Sequence, residues 1–156
     1  MNGRIDTVSR FIAASPTTLY QAFMNPSALV QWMPPQGMTG EIEFFNPEVG
    51  KGYRMTLTYE DAHSIPGKTS EHTDTLETTF VELVPNKKIA GTAVFETEDS
   101  DIWGELLMTW YFEEREEGTK VTIIVENVPP SILKADYIEG LNSTLDHLEQ
   151  FVQTQE

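Results

Sequence analysis

Five apolar residues near the C-terminus, Ile138, Leu141, Leu145, Leu148 and Val152, recur at three- and four-residue spacing. That spacing draws one stripe along an α-helix, and a stripe must be buried against something. The preceding segments offer one large partner. "YRMTLTYED" alternates strictly, with Tyr53, Met55, Leu57 and Tyr59 on one face and Arg54, Thr56, Thr58 and Glu60 on the other; a period of two is a strand. "GEIEFF" precedes it. "DTLETTFVELV" ends at Pro85-Asn86, "KKIAGTAVFET" pairs back, and "IWGELLMTWYFEE" turns at Gly118 into "TKVTIIVENV", which Pro129 and Pro130 stop. Adjacent strands joined by short turns make an antiparallel sheet. The expected fold is therefore α+β. A curved antiparallel sheet of about six to seven strands wraps around a long C-terminal helix spanning "ILKADYIEGLNSTLDHLEQFV", with Ser131 as its cap.

The N-terminal part adds a first strand, "RIDTVSRFIA", whose apolar residues Ile5, Phe11 and Ala13 alternate imperfectly. Ser15 then caps a helix opened by Pro16, with Leu19, Tyr20 and Phe23 on one face. Asn25 and Pro26 repeat the device for "NPSALVQW"; a capping side chain followed by proline is a helix start. The two short helices close one end of the grip. Behind them comes "VQWMPPQGMTGEI", an apolar connection where small polar turn residues are usual. It is expected to be the lid or rim of a cavity, or its cork if protein fills the interior. With no repeat or linker-like stretch, residues 1–156 are expected to form one domain.

Charge narrows the partners. Ten Lys and Arg against 25 Asp and Glu give a net charge of −15, which repels nucleic acid and anionic membrane surfaces at long range. The absence of cysteine excludes disulfides and thiolate chemistry. No stretch reads as a signal peptide or a membrane span, so the expected setting is the cytoplasm.

Little in the sequence points to catalysis. No serine sits in a nucleophile elbow, and no glycine loop cradles phosphate. His63 and His72 flank a loop with Asp61, Glu71 and Asp74 nearby, but their spacing matches no metal motif, and His147 reads as a helix-surface residue. Glu105 is expected on the outer face, because Leu106, Met108, Trp110 and Phe112 together form the apolar side of their strand. No catalytic residue, metal or other cofactor is expected.

Five blocks in register resemble a known family. They are "RFIAASPTTLYQAFMNPSALVQWMPP", "VGKGYRM", "FVELVPNKKIAGT", "EEGTKVTIIVENVP" and "GLNSTLDHLEQFV". The chain is similar to the START-like (SRPBCC) helix-grip superfamily, in the branch named after the activator of the heat-shock-protein-90 ATPase. It departs from the pattern at Lys51, where a second glycine is usual, and at Leu141, where tryptophan is common. The latter change would reshape a pocket. The resemblance implies the helix-grip fold. It also implies a choice of functions: superfamily members bind lipids, hormones and polyketides, some process rings, and the eukaryotic namesake acts on a chaperone.

The inner face is rich in aromatic residues and methionine, which suit an adaptable pocket. The expected function is non-catalytic binding of a small apolar or amphipathic molecule between sheet and helix. The lining would comprise Trp32, Met33, Met38, Tyr53, Met55, Leu57 and Tyr59, then Met108, Trp110, Phe112, Ile138, Leu141 and Leu145. With Tyr hydroxyls, thioethers and rings but no Lys or Arg, it should prefer neutral or weakly cationic aromatic compounds to fatty acids. The alternatives are a chaperone-docking module and a cyclase-like enzyme with an acid or base in the cavity. The chain is expected to be a monomer or homodimer.

Overall fold

The computed structural model describes residues 4–34, 37–59, 73–95, 105–129 and 132–154. Its elements are β1 (Arg4–Ile12), α1 (Pro16–Met24), α2 (Pro26–Trp32), β2 (Met38–Phe45), β3 (Gly52–Tyr59), β4 (Thr73–Val84), β5 (Lys88–Phe95), β6 (Leu106–Arg115), β7 (Gly118–Val128) and α3 (Lys134–Thr154). The strands form a seven-stranded sheet in the order β1-β7-β6-β5-β4-β3-β2. Each neighbouring pair is antiparallel. The helices α1 and α2 carry the chain from one edge of the sheet to the other, so β1 pairs with the last strand and β2 becomes the opposite edge. The expected helix-grip architecture is thereby observed.

Local chemistry accounts for the short helices. The Ser15 hydroxyl accepts from the Thr18 amide at 3.1 Å, and Asn25 Oδ1 accepts from Ser27 at 2.9 Å. Each cap satisfies a first-turn amide that the helix itself cannot. Leu19, Phe23, Leu29 and Trp32 are buried beneath them. The long helix buries Leu141, Leu145, Leu148 and Val152, while Ile138 is half-buried. It begins at Lys134, two positions later than expected; Ser131 lies outside the described residues. Register shifts between Ile42 and Phe44, Phe80 and Glu82, and Arg4 and Asp6 mark bulges, which bend strands and increase twist. They curl the sheet around α3.

Two expectations are corrected. The apolar alternation in β1 marks the wrong face: Ile5 and Phe11 are 58% and 49% exposed, and Ala13 is exposed too. Asp6, Val8 and Ile12 point inward instead. Phe11 alternates with buried Ile12 and lies over Gly118, where a Cβ would come within 2.6 Å of the Phe11 ring and 2.5 Å of the Ile12 carbonyl oxygen. That crowding also explains Gly118. The left-handed turn residue of the β6–β7 hairpin is Glu117, at φ 65°, and the glycine serves close approach instead.

Candidate ligand cavity

Cross-strand pairs place side chains on a common face. The register aligns Asp6 with Val125, Val125 with Met108, Met108 with Gly91, and Gly91 with Phe80. The next inward row runs Leu106, Ala93, Thr78, Tyr53 and Phe45. Leu76, Met55 and Ile42 follow. The expected strand faces therefore hold: Tyr53, Met55, Leu106, Trp110 and Phe112 are buried, and Glu105 is exposed. Arg54 pairs outside with Glu43.

Depth divides this inner face into two zones. One is closed by aromatic rings. Phe23 meets Trp110 at 5.4 Å, Trp32 at 5.8 Å and Tyr53 at 6.5 Å, and Trp32 meets Trp110 at 5.5 Å. Phe45 stacks on Tyr53 at 5.5 Å, and Phe80 meets both. Steeply inclined rings at these distances are favourable edge contacts. Trp32 Nε1 donates to the Ala22 carbonyl at 3.1 Å, so this large side chain is buried with its polar atom satisfied. Trp32 is the cork.

The other zone is more open. Met33, Leu57, Leu76, Met108 and Ile138 pack on the core but are only partly buried. Leu76 and Met108 lie on interior strands of the sheet, where side chains facing a helix are normally covered. Beneath them the floor is made of Gly91, Ala93 and Thr78. Small floor residues beside half-buried large ones mark the least covered part of the inner face. Met38 is half-buried on edge strand β2. Of the thirteen expected lining residues, Trp32, Tyr53, Met55, Trp110, Phe112, Leu141 and Leu145 are buried. Met33, Met38, Leu57, Met108 and Ile138 border the open zone, and the side chain of Tyr59 lies outside the described residues.

The apolar connection after α2 is fastened by α3. Thr144 Oγ1 donates to the Met33 carbonyl at 2.9 Å, and His147 Nδ1 lies 2.8 Å from the Pro34 carbonyl oxygen. A carbonyl only accepts, so Nδ1 carries the proton. Residues 144 and 147 share a helix face, which lets one helix hold two consecutive carbonyls. Pro34 in turn packs over Gly40, where a Cβ would come within 2.9 Å of its ring. His147 is thus a tether for the connection, a role its surface-like position in the helix did not disclose. His63 and His72 lie outside the described residues.

Sequence reading missed a buried polar group where β1 meets α3. Asp6 is wholly buried. Arg4 Nε donates to its two oxygens at 2.9 and 3.1 Å. Tyr137 of α3 adjoins the pair: burial holds its phenol protonated well above the ordinary range, Asp6 reinforces this, and Arg4 opposes it. The available signal was the inward alternation Asp6, Val8, Ile12, which the more apolar Ile5 and Phe11 obscured.

Tyr53 gives a pH prediction. Burial raises its phenol to about 12, partly offset by its bond to Thr78. The unfolded value is about 10. The raised folded value means that stability is intact below pH 10 and declines as pH rises towards 12, because only the unfolded chain releases the proton. At pH 11 the loss from this residue is about 1.4 kcal/mol. Tyr53→Phe should remove about 1 kcal/mol of the stability lost between pH 10 and 11, read from urea unfolding; parallel declines in both proteins would contradict the burial.

A surface trough of about 550 Å³ lies elsewhere, lined by Ser9, Arg10, Phe11, Arg115, Glu116 and Lys120. It opens outside β1 and the β6–β7 turn. Its guanidinium groups are already engaged, Arg10 by Asp146 and Glu149 and Arg115 by Glu113. It opens widely to solvent and offers a ligand little enclosure.

Comparison with protein families matches residues 13–153 to the family described as Activator of Hsp90 ATPase homolog 1-like protein. Among solved structures, a protein of Chromobacterium violaceum is 25% identical, with 96% of each chain covered and a TM-score of 0.84. One from Rhodobacter sphaeroides is 20% identical, covering 100% of this chain and 98% of that one, with a TM-score of 0.78. A third, from Arthrobacter aurescens, is 16% identical over 96% and 86%, with a TM-score of 0.80. Comparison with curated proteins finds no match. No helix among the described residues is long and apolar enough to cross a membrane.

Proposed function

The chain belongs to the Activator of Hsp90 ATPase homolog 1-like family, and from that premise we propose that it binds a small apolar or amphipathic molecule in the trough between sheet and α3, acting as one unit over residues 1–156 without catalysis. The observation that carries the reading is the partial exposure of Leu76 and Met108 above a floor of Gly91, Ala93 and Thr78. An apolar side chain left half-open on an interior strand forgoes burial worth about 25 cal/mol per Å², and a ligand restores it. Aromatic and thioether groups around the trough adapt to shape. The acidic surface, with its net charge of −15, favours neutral ligands over carboxylates. The Met33–Pro34 segment, held by Thr144 and His147, forms the rim.

Titration with the neutral probe N-phenyl-1-naphthylamine tests this. Saturable one-to-one binding is expected, and Met108→Trp, which fills the trough, should weaken it at least tenfold while circular dichroism stays unchanged. Equal binding by the folded variant would place the site elsewhere. No binding by the folded wild type would favour the docking alternative, for which Ile5 and Phe11 on edge strand β1 are among the exposed apolar residues.

A further inference from the structure

The two edges of the sheet are built differently. An exposed edge strand offers unpaired main-chain groups to another strand, and folded proteins normally blunt it with bulges, prolines or charges. β2 is blunted. Its own extra residue, Glu43, bulges between Ile42 and Phe44 against the consecutive Met55 and Arg54, and Pro34 packs over Gly40. β1 is not. The irregularity beside it belongs to β7: two steps from Arg4 to Asp6 answer three from Val128 to Val125, with Asn127 at φ 66°. β1 itself runs from Arg4 to Ile12 without proline or bulge. Among the described residues, no main chain other than β7 bonds to that of Arg4–Phe11. The inward charges of β1 are already paired, Arg4 with Asp6 and Arg10 with Asp146. Its outward face presents Ile5 and Phe11, 58% and 49% exposed.

We propose that the free edge of β1 pairs antiparallel with β1 of a second copy of the chain, about a two-fold axis at Val8, joining two seven-stranded sheets into one. The strand's own sequence selects this partner. With Val8 at the axis, Ile5 meets Phe11 of the partner subunit, Thr7 meets Ser9 of the partner subunit, and Asp6 meets Arg10 of the partner subunit. The symmetry makes each of these pairs twice. Apolar faces apolar, hydroxyl faces hydroxyl and acid faces base, which are the cross-strand pairs that stabilise antiparallel strands. Opposed residues must share a face, so the centre can slip only by alternate pairs. Centred on Thr7, the pairing would oppose Arg4 with Arg10 and leave Phe11 unmatched. Centred on Ser9, it would set Asp6 against Ile12 and leave Ile5 unmatched. Charge favours the same edge. Four of the ten cationic side chains stand here, Arg4 and Arg10 on β1 and Arg115 and Lys120 beside Phe11. They offset neighbouring acids, so a chain of net charge −15 repels its own copy least at this edge. A one-strand contact lies at the low end of interface sizes, below about 1,200 Å², and the dimer therefore dissociates on dilution. No ligand is needed for the pairing.

Sedimentation velocity of the full chain, from low to high micromolar protein, tests it. The wild type should pass from monomer to dimer as concentration rises. Phe11→Glu and Ile5→Lys each set a charge against an apolar side chain twice per dimer, and each should weaken association about tenfold or more. Both positions are exposed, so circular dichroism should stay unchanged. The double variant Ile5→Lys, Phe11→Glu brings the two new charges, opposite in sign, face to face across the two-fold and should restore the dimer. That recovery distinguishes the strand pair centred on Val8 from any other apolar contact. A wild type that stays monomeric throughout would overturn the proposal and leave the edge to a strand of another protein. A dimer untouched by the single variants, or one that the double variant fails to recover, would overturn it as well.

Discussion

Trp110→Ala is expected to lower the unfolding free energy by about 3–5 kcal/mol, as large-to-small changes of buried aromatic residues do. Trp110 is 1% exposed and packs edge-on against both Phe23 and Trp32. Its removal leaves a cavity that those rings cannot fill without abandoning Tyr53 and the Ala22 carbonyl. A domain is stable by only about 5–15 kcal/mol, so the urea midpoint should fall by a large fraction. Trp110→Phe should be far milder. The indole Nε1 is buried without a partner, and phenylalanine keeps a ring against both neighbours while discarding that unsatisfied N–H. A loss below about 1 kcal/mol for the alanine variant would show that the open zone extends into the aromatic one.

The second large effect is at Gly52. A Cβ there would lie 1.7 Å from the Thr78 carbonyl oxygen. The obstacle is backbone, so no rotamer change relieves it. The surrounding main chain is held on two sides: Phe80 donates to the Lys51 carbonyl at 2.7 Å, and Asn46 donates to that of Gly52 at 2.8 Å. Gly52→Ala must therefore part β3 from β4, where the register pairs Gly52 with Thr79. A loss of about 3 kcal/mol or more is expected. Gly140 is the internal control. It lies in α3 with nothing within 4 Å of its missing Cβ, so Gly140→Ala should stabilise by about 0.5–1 kcal/mol through helix propensity. Urea unfolding measures both, and a near-neutral Gly52→Ala would mean that the start of β3 pairs differently.

The seven strands and the closing helix were legible because their signal is periodic. Period two in β3 and the three- and four-residue stripe of α3 each name a face directly. Proline beside Ser15 and Asn25 marked two helix starts for the same local reason. Depth was not legible. Met108 and Trp110 alternate onto the same face, yet one borders an opening and the other is sealed by Phe23 and Trp32, which come from elements far along the chain. β1 misled because its inward face carries paired polar residues: Asp6 is held by Arg4 of the same strand, and Arg10 meets Asp146 and Glu149 of α3. Its exposed Phe11 lies over Gly118, a neighbour only the strand pairing supplies. The tether from His147 to Pro34 likewise joins residues with no local relation.

The pairing of β1 with β7 also governs how the molecule assembles. Every other neighbouring pair follows directly in the chain, from β2 and β3 through to β6 and β7, so those ladders can zip as successive hairpins. β1 instead pairs Arg4 with Val128 and Ile12 with Thr119. Closing that loop costs about 4 kcal/mol of chain entropy before any contact compensates. Until β7 exists, β1 has no strand to bond and Asp6 has no Tyr137 beside it. Long-range pairing of this kind slows folding and prolongs exposure of an unpaired edge. During synthesis, β1 is a waiting strand, and the surroundings of buried Asp6 are completed last.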